Sequence, residues 1–230
     1  MDFSPLIISL ETALTATVVT FFLGIGLAYG VVRLRYFQGI ADAIITLPMV
    51  LPPTVVGFFL LLFLGRKSAI GQFLLQFDIN LVFTWQAAVI AAVIVSLPLM
   101  YRTARGAFEQ LDVNILNAAR TLGISEWRIF WRILLPNSWQ GILAGVVLSF
   151  TRALGEFGAT IMFAGNIPGK TQTMSTAIYA AVQANDYDSA YNWAMVIVFF
   201  SLFFVVLPFF YPLSFFTFLS IFPPMQSLIA

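Results

Sequence analysis

The chain has 230 residues, of which 60% are hydrophobic and only 9% charged, with a mean hydropathy of +0.95; soluble domains sit near about 45–50% apolar and 25% charged. That balance assigns the protein to a lipid bilayer. Eleven Lys and Arg against ten Asp and Glu give a net charge of +1, too weak a field to gather nucleic acid. With no Cys and no His, disulfide scaffolds, thiolate nucleophiles, Ser-His triads and zinc or haem ligation by those residues are excluded.

A helix needs about 20 mostly apolar residues to cross a hydrocarbon core of about 30 Å. Charge-free windows run Thr12–Val32, Ala43–Gly65, Ile79–Tyr101 and from Ser189 to Ala230, and a further span from Ile133 to Gly169 carries Arg152 and Glu156. The expectation is therefore an all-α polytopic transmembrane bundle forming one domain over 1–230, with five spans. A sixth requires the proline-bearing C-terminal stretch to break at Pro208 and Pro212. Asp2 and Glu11 stand where a signal peptide has a basic region, so the first window reads as a retained helix. Arg33, Arg35, Arg102, Arg105, Arg120, Arg128 and Arg132 fall on one side of the bundle; Arg66, Lys67 and Lys170 fall on the other. The positive-inside rule then puts the N-terminus outside and the loop at about 106–136 in the cytoplasm.

That loop turns amphipathic. Asp112 is placed to cap a helix with Ile115, Ala118, Ala119 and Leu122 on one face, and Gly123 to end it in the left-handed conformation. Ser125 is placed to cap a second helix with Glu126 in its first turn, a staple of Ile124 on Ile129, and Pro136 at its end. Three arginines are too few for a DNA-binding helix-turn-helix. Two readings stand: a surface-lying loop anchored by Trp127 and Trp131, or a small-residue helix that seats in a groove of a soluble partner.

The run Ala118-Ala119-x3-Gly123-x9-Ile133-x-Leu135-Pro136 resembles the EAA loop of the membrane subunits of ABC importers, with Asn117 where the pattern opens on Glu. The resemblance implies the type I ABC importer permease fold and a cytoplasmic coupling helix inserted into a nucleotide-binding subunit. Leu47–Gly71 and Arg152–Tyr179 further resemble the oxyanion permeases for molybdate, tungstate and sulfate, and the segment Asn166–Thr173 tilts the likeness to the molybdate group. The resemblance lapses beyond about Tyr211. It implies a subunit of an ATP-driven importer of molybdate or tungstate, with sulfate or thiosulfate as the alternative cargo. It also implies a homodimer in a prokaryotic inner membrane, working with two ATPase subunits that carry the ATP and magnesium, and an extracytoplasmic oxyanion-binding protein.

Pro48, Pro52 and Pro53 remove backbone donors within span 2; they either break the helix along a transport path or merely kink it against its neighbours. Arg152 and Glu156, four apart on one helix face, form either a structural ion pair or a gate for the anion. Gly165–Thr171, GNIPGKT, has three residues between its glycines where a Walker A loop needs four, so nucleotide binding by this chain is rejected and the energy is expected from a separate subunit; Arg152 and Glu156, without a nucleophile or metal cluster beside them, make no catalytic site, and no catalytic residue is expected. Asn166 and Lys170, in an external loop at about 165–188, are candidates for contact with the binding protein; ordinary turn chemistry at Pro168-Gly169 is the other reading. Gly26-x3-Gly30 and Gly141-x3-Gly145 allow close helix packing.

Overall fold

The computed structural model describes residues 2–34 and 36–210, with side chains through Val206. Arg35 and everything from 211 to 230, including the proposed break at Pro212, lie outside the described residues, while the backbone stays helical through Pro208 to Phe210. The described residues form α1 (Ser4–Val32), α2 (Gln38–Val50), α3 (Pro53–Leu64), α4 (Ala69–Leu75), α5 (Trp85–Glu109), α6 (Val113–Thr121), α7 (Glu126–Ile129), a π-helical turn (Phe130–Leu134), α8 (Leu135–Asn137), α9 (Trp139–Leu154), α10 (Gly158–Phe163), α11 (Met174–Gln183) and α12 (Tyr187–Phe210), with no strand among them. Among the described residues α1, α5 and α12 are each long and apolar enough to cross a membrane, and two bent pairs raise the candidate spans to as many as five where each pair counts as one.

The centre of the bundle is α5, packed between α1 and α9. Lipid tails give apolar helices little reason to associate, so membrane helices gain packing energy by approaching closely on small residues. Along α1 the buried stripe is Thr12, Ala16, Thr20, Gly24 and Ala28, every fourth residue; α5 answers with the fully buried Ala92 and Ala104, while its Ala87, Ala88 and Ala91 pack toward α3 and α10. Gly24 lies so close to α5 that a Cβ there would sit 2.6 Å from Met100 Cγ. The sequence points instead to Gly26 and Gly30, but both face open space, whereas Gly141 and Gly145 meet Ala107, Thr103 and Met100 of α5 as their spacing suggests. Several buried hydroxyls are satisfied within their own helices, as Thr17 donates to the Ala13 carbonyl at 2.6 Å and Ser96 to that of Ala92 at 2.6 Å, whereas the Thr12 hydroxyl is enclosed without a partner.

Helix ends follow local chemistry. The Asp2 carboxylate accepts from the Ser4 backbone and hydroxyl at 3.0 and 2.7 Å, and Thr84 caps α5 by accepting from the Ala87 N–H. That cap displaces the third span from its charge-free window: the helix starts at Trp85 and carries Arg102 and Arg105 in its final turns. Long-range contacts within the chain fix the two ends of the bundle. Ser9 accepts from Met174 N–H at 2.8 Å, and Phe83 N–H donates to the Phe163 carbonyl at 3.2 Å; at the other end Arg33 is ion-paired to Glu126. The described basic side chains are thereby sorted as the sequence predicts, with Arg66, Lys67 and Lys170 at the first end and Arg33, Arg102, Arg105, Arg120, Arg128 and Arg132 at the second.

The fourth span departs from a single helix. It bends by 72° between Asn137 and Trp139, and it breaks again at Gly155–Phe157 before resuming as α10. Both breaks have local causes: Pro136 supplies no N–H to the ladder, and the backbone around Glu156 turns so that the carboxylate can cap the helix that follows.

Candidate functional site

Three regions hold the residues singled out in the sequence. The first is the segment 112–136. Asp112 accepts from Asn114 N–H at 2.9 Å and starts α6; Gly123 adopts φ +74° and ends it, a conformation that costs L-residues about 1–2 kcal/mol. Ser125 has extended backbone at the start of α7, yet its side chain makes no capping hydrogen bond. Pro136 lies inside the three-residue α8 rather than beyond a helix end, and the π-helical turn precedes it.

The segment has an anchored half and an open half. Phe130 and Leu134 are buried among Ile25, Ala28, Tyr101 and Phe108, with the Phe130 ring 4.4 Å from that of Tyr29; Ile133 and Leu135 are half-buried. By contrast Asn117, Ala118 and Gly123 are exposed, together with Val113, Ile115 and Leu122, the last 75% accessible; of the small residues only Ala119 is buried. A helix of three apolar side chains and an exposed alanine, standing off the bundle, has the form of an insert for a groove.

Glu126 does more than favour a helix N-terminus. Its Oε1 accepts from Arg120 Nε at 2.7 Å, its Oε2 pairs with Arg33, and Arg120 also donates to Asn117 Oδ1 at 2.9 Å. The Arg120 hydrogen bond, and then the neighbouring charges, hold the Glu126 carboxyl below the usual carboxylate range. The sequence gives the charges but not these partners, because Arg33 lies 93 residues from Glu126. A second cluster missed in the sequence joins α2 to α5: Arg105 pairs with Asp42 and, at 2.7 Å, with Glu109, while the Tyr101 hydroxyl donates to Asp42.

The second region lies where two interrupted spans meet. Pro48 is inside α2, and Pro52 and Pro53 open α3 after a 109° bend; the break along this span is therefore sharp. α3 packs against α10 through glycine, since a Cβ on Gly57 would lie 2.8 Å from Ala159 Cα, and one on Gly158 would lie 2.8 Å from Pro53 Cβ. Beside that contact Glu156 is 2% exposed and accepts from Ala159 N–H at 2.7 Å. Its other oxygen lies 2.6 Å from Arg152 Nη1, as a charge pairing rather than an aligned hydrogen bond. The structure thus brings Pro53, Arg152 and Glu156 to one neighbourhood.

Asn166 and Lys170 occupy a tight loop in which Gly165 and Gly169 both have φ near +74°, and three backbone N–H groups converge on the Ile167 carbonyl. Lys170 is exposed, whereas the Asn166 amide oxygen is enclosed with no hydrogen-bond partner. The segment 165–188 contains the ten-residue α11, opened by a capping box of Thr173 and Thr176.

Comparison with known proteins agrees with this architecture. Residues 20–218 match the family model described as binding-protein-dependent transport system inner membrane component. The molybdenum transport system permease protein ModB of Escherichia coli (strain K12) is 44% identical over 184 residues, 79% of this chain and 80% of that one. The sulfate transport system permease protein CysT of the same strain is 39% identical over 191 residues, 81% of this chain and 69% of that one. Among solved structures, a chain of the inward-facing MetNI methionine ABC transporter superposes with a TM-score of 0.68 at 13% identity, over 87% of this chain and 89% of that one. The fold is that of the type I ABC importer permeases, and the chain belongs to the family of binding-protein-dependent transport system inner membrane components.

Proposed function

We propose that this chain is the membrane-spanning permease subunit of an ATP-driven importer of molybdate or tungstate. The observation that carries the reading is 44% identity to a molybdenum permease over four-fifths of both chains; the sulfate permease is less similar and extends further beyond the match. Two copies of the chain pair around the path, and each presents α6 to an ATPase subunit that holds ATP and magnesium. The exposed face of α6 and its glycine-terminated end support that docking. ATP-driven closure of the ATPases draws the docked segments together and opens the spans outward; hydrolysis returns them inward.

In this reading the second end of the bundle, with six described arginines, faces the cytoplasm, and the N-terminus lies outside. The extracytoplasmic binding protein meets the end that bears Asn166 and Lys170. The break at Leu51–Pro52 and the interruption at Gly155–Phe157 frame the path, since irregular backbone at membrane depth is tolerated where it is enclosed by protein or lines a water-filled route. Arg152, held by Glu156, is a weak relay for the anion and not a tight site, because a fixed cation that bound firmly would slow release.

The test is uptake of labelled molybdate into cells that lack their own high-affinity system and carry this chain with its ATPase and binding protein. Inhibition by excess tungstate, with sulfate without effect, is expected. Inhibition by sulfate moves the cargo to the sulfate class, and absence of ATP-dependent uptake with all subunits assembled overturns the importer reading.

A further inference from the structure

Asn117 stands where the importer pattern opens on an acid, and the cation beside it is committed elsewhere. Arg120 donates to Asn117 Oδ1 at 2.9 Å, but its charge is matched by Glu126, 2.7 Å away on α7. Glu126 in turn pairs with Arg33, the residue that ends α1. The Arg33 guanidinium lies 4.1 Å over the Tyr29 ring, and Tyr29 packs on Phe130 of the anchored half. One carboxylate thus bridges the docking helix and the cytoplasmic end of span 1.

The packing of α6 makes that bridge consequential. Its principal neighbour is α7, itself one turn long, and no span packs extensively against it. A push on α6 reaches the bundle along the backbone into the anchored half, whose Phe130 and Leu134 pack on α1 and α5 before the chain enters α9, or through the ion pair of Glu126 into α1. Arg120, Glu126 and Arg33 are each between 41% and 45% exposed, so their charges add little to stability. A relay of opposite charges across three elements still fixes their relative position, and it can re-form as they move.

We infer that Glu126 is a positioning residue that latches the coupling helix to span 1. This rests on the permease reading above. On this account the latch carries motion of α6 directly to α1, and from there through the tight α1–α5 contact into the core of the bundle. Breaking it leaves docking and ATP hydrolysis in place and lowers the work delivered per ATP.

The experiment uses the complete transporter in proteoliposomes and reads molybdate taken up per ATP hydrolysed, together with copurification of the ATPase. Glu126→Gln and Arg33→Gln are each expected to lower that ratio about fivefold, the lower bound of ordinary coupling between sites, with the complex still assembled. Because both act on one link, the double variant is expected to be no worse than either single one, and Glu126→Asp to retain most of the coupling. Arg128→Gln, on the same short helix without an ion pair among the described residues, is the control. A normal ratio in both Glu126→Gln and Arg33→Gln, or a double variant that shows the product of two independent defects, overturns the latch. Loss of ATP-dependent uptake in the unmodified protein overturns the permease reading instead, so the two failures are distinguishable.

Discussion

The α1–α5–α9 contact and the segment 112–136 are held by opposite means. In the first, Gly24, Gly141 and Gly145 bring backbones so close that a single added carbon has nowhere to go. In the second, Gly123 has no atom within 4 Å of where a Cβ would stand, and three exposed ionic side chains link the docking helix to α7 and α1. A close-packed apolar contact is stiff and transmits displacement; an exposed charge relay is soft, adaptable and cheap to break. A transporter driven from one end needs both, a body that moves as a unit and a handle that can be seized.

The contrast breaks most visibly in the packed region. Gly145→Leu places its Cβ 2.2 Å from Thr103 Oγ1 and 2.9 Å from Met100 Sδ, so overpacking is expected to cost about 3 kcal/mol and to lower Tm in detergent. Gly26→Leu, where nothing lies within 4 Å, is expected to melt within a few degrees of the unmodified protein; equal losses in the two variants would remove the steric account of the core.

Arg152 and Glu156 sharpen the same point with charge. Glu156 is 2% exposed and Arg152 31%, so the two are not equivalent. Arg152→Met strands a buried carboxylate and is expected to destabilise by about 3 kcal/mol. Glu156→Gln keeps an acceptor for Ala159 N–H and leaves a cation that can reach water, for about 1 kcal/mol. Thermal melts that rank the two in the other order would show the pair to be held by something other than the burial of Glu156.

In the open region the expected effect on stability is smaller and that on transport larger. Gly123→Leu meets no atoms but must hold φ +74°, for about 1–2 kcal/mol of local strain. The bundle should fold while uptake separates from ATP hydrolysis, and Gly123→Asn, which tolerates the left-handed region, should recover part of the coupling. Normal coupled uptake in Gly123→Leu would count against docking through this turn.

Much of this was legible in the residues, for physical reasons. Five spans follow from charge-free windows because hydrocarbon admits few charges, and the caps at Asp112 and Gly123 follow because helix ends need local chemistry. What the sequence does not show is partnership across distance. Gly26 and Gly30 have the spacing of a contact, but the helix turns Gly24 and Ala28 to α5, and spacing alone does not set rotation. Glu126 reads as a first-turn acid until the fold brings Arg33 beside it, and Asp42 reads as an interruption near a span until Arg105 and Tyr101 close on it. Span 4 reads as one helix because Gly155–Phe157 carries no helix breaker beyond a glycine; the break becomes visible only with the Glu156 carboxylate folded back on Ala159 N–H.

The smallest expected effect concerns protons at the latch. The hydrogen bond from Arg120, and secondarily the charges of Arg120 and Arg33, depress the Glu126 carboxyl in the folded protein. A carboxyl with a lowered folded pKa contributes stability that is present above its unfolded value, about 4.3, and is lost as pH falls through the lower folded value. The pair is about half exposed, so screening leaves at most a few tenths of a kcal/mol. Tm measured at pH 6 and again below pH 4 is expected to fall slightly less in Glu126→Gln than in the unmodified protein, because the amide has no proton to gain. Every other acid is common to the two proteins and drops out of the difference. An identical fall in the two would mean that Glu126 carries the same charge interactions folded and unfolded, and that the relay, whatever its part in motion, adds nothing to the standing structure.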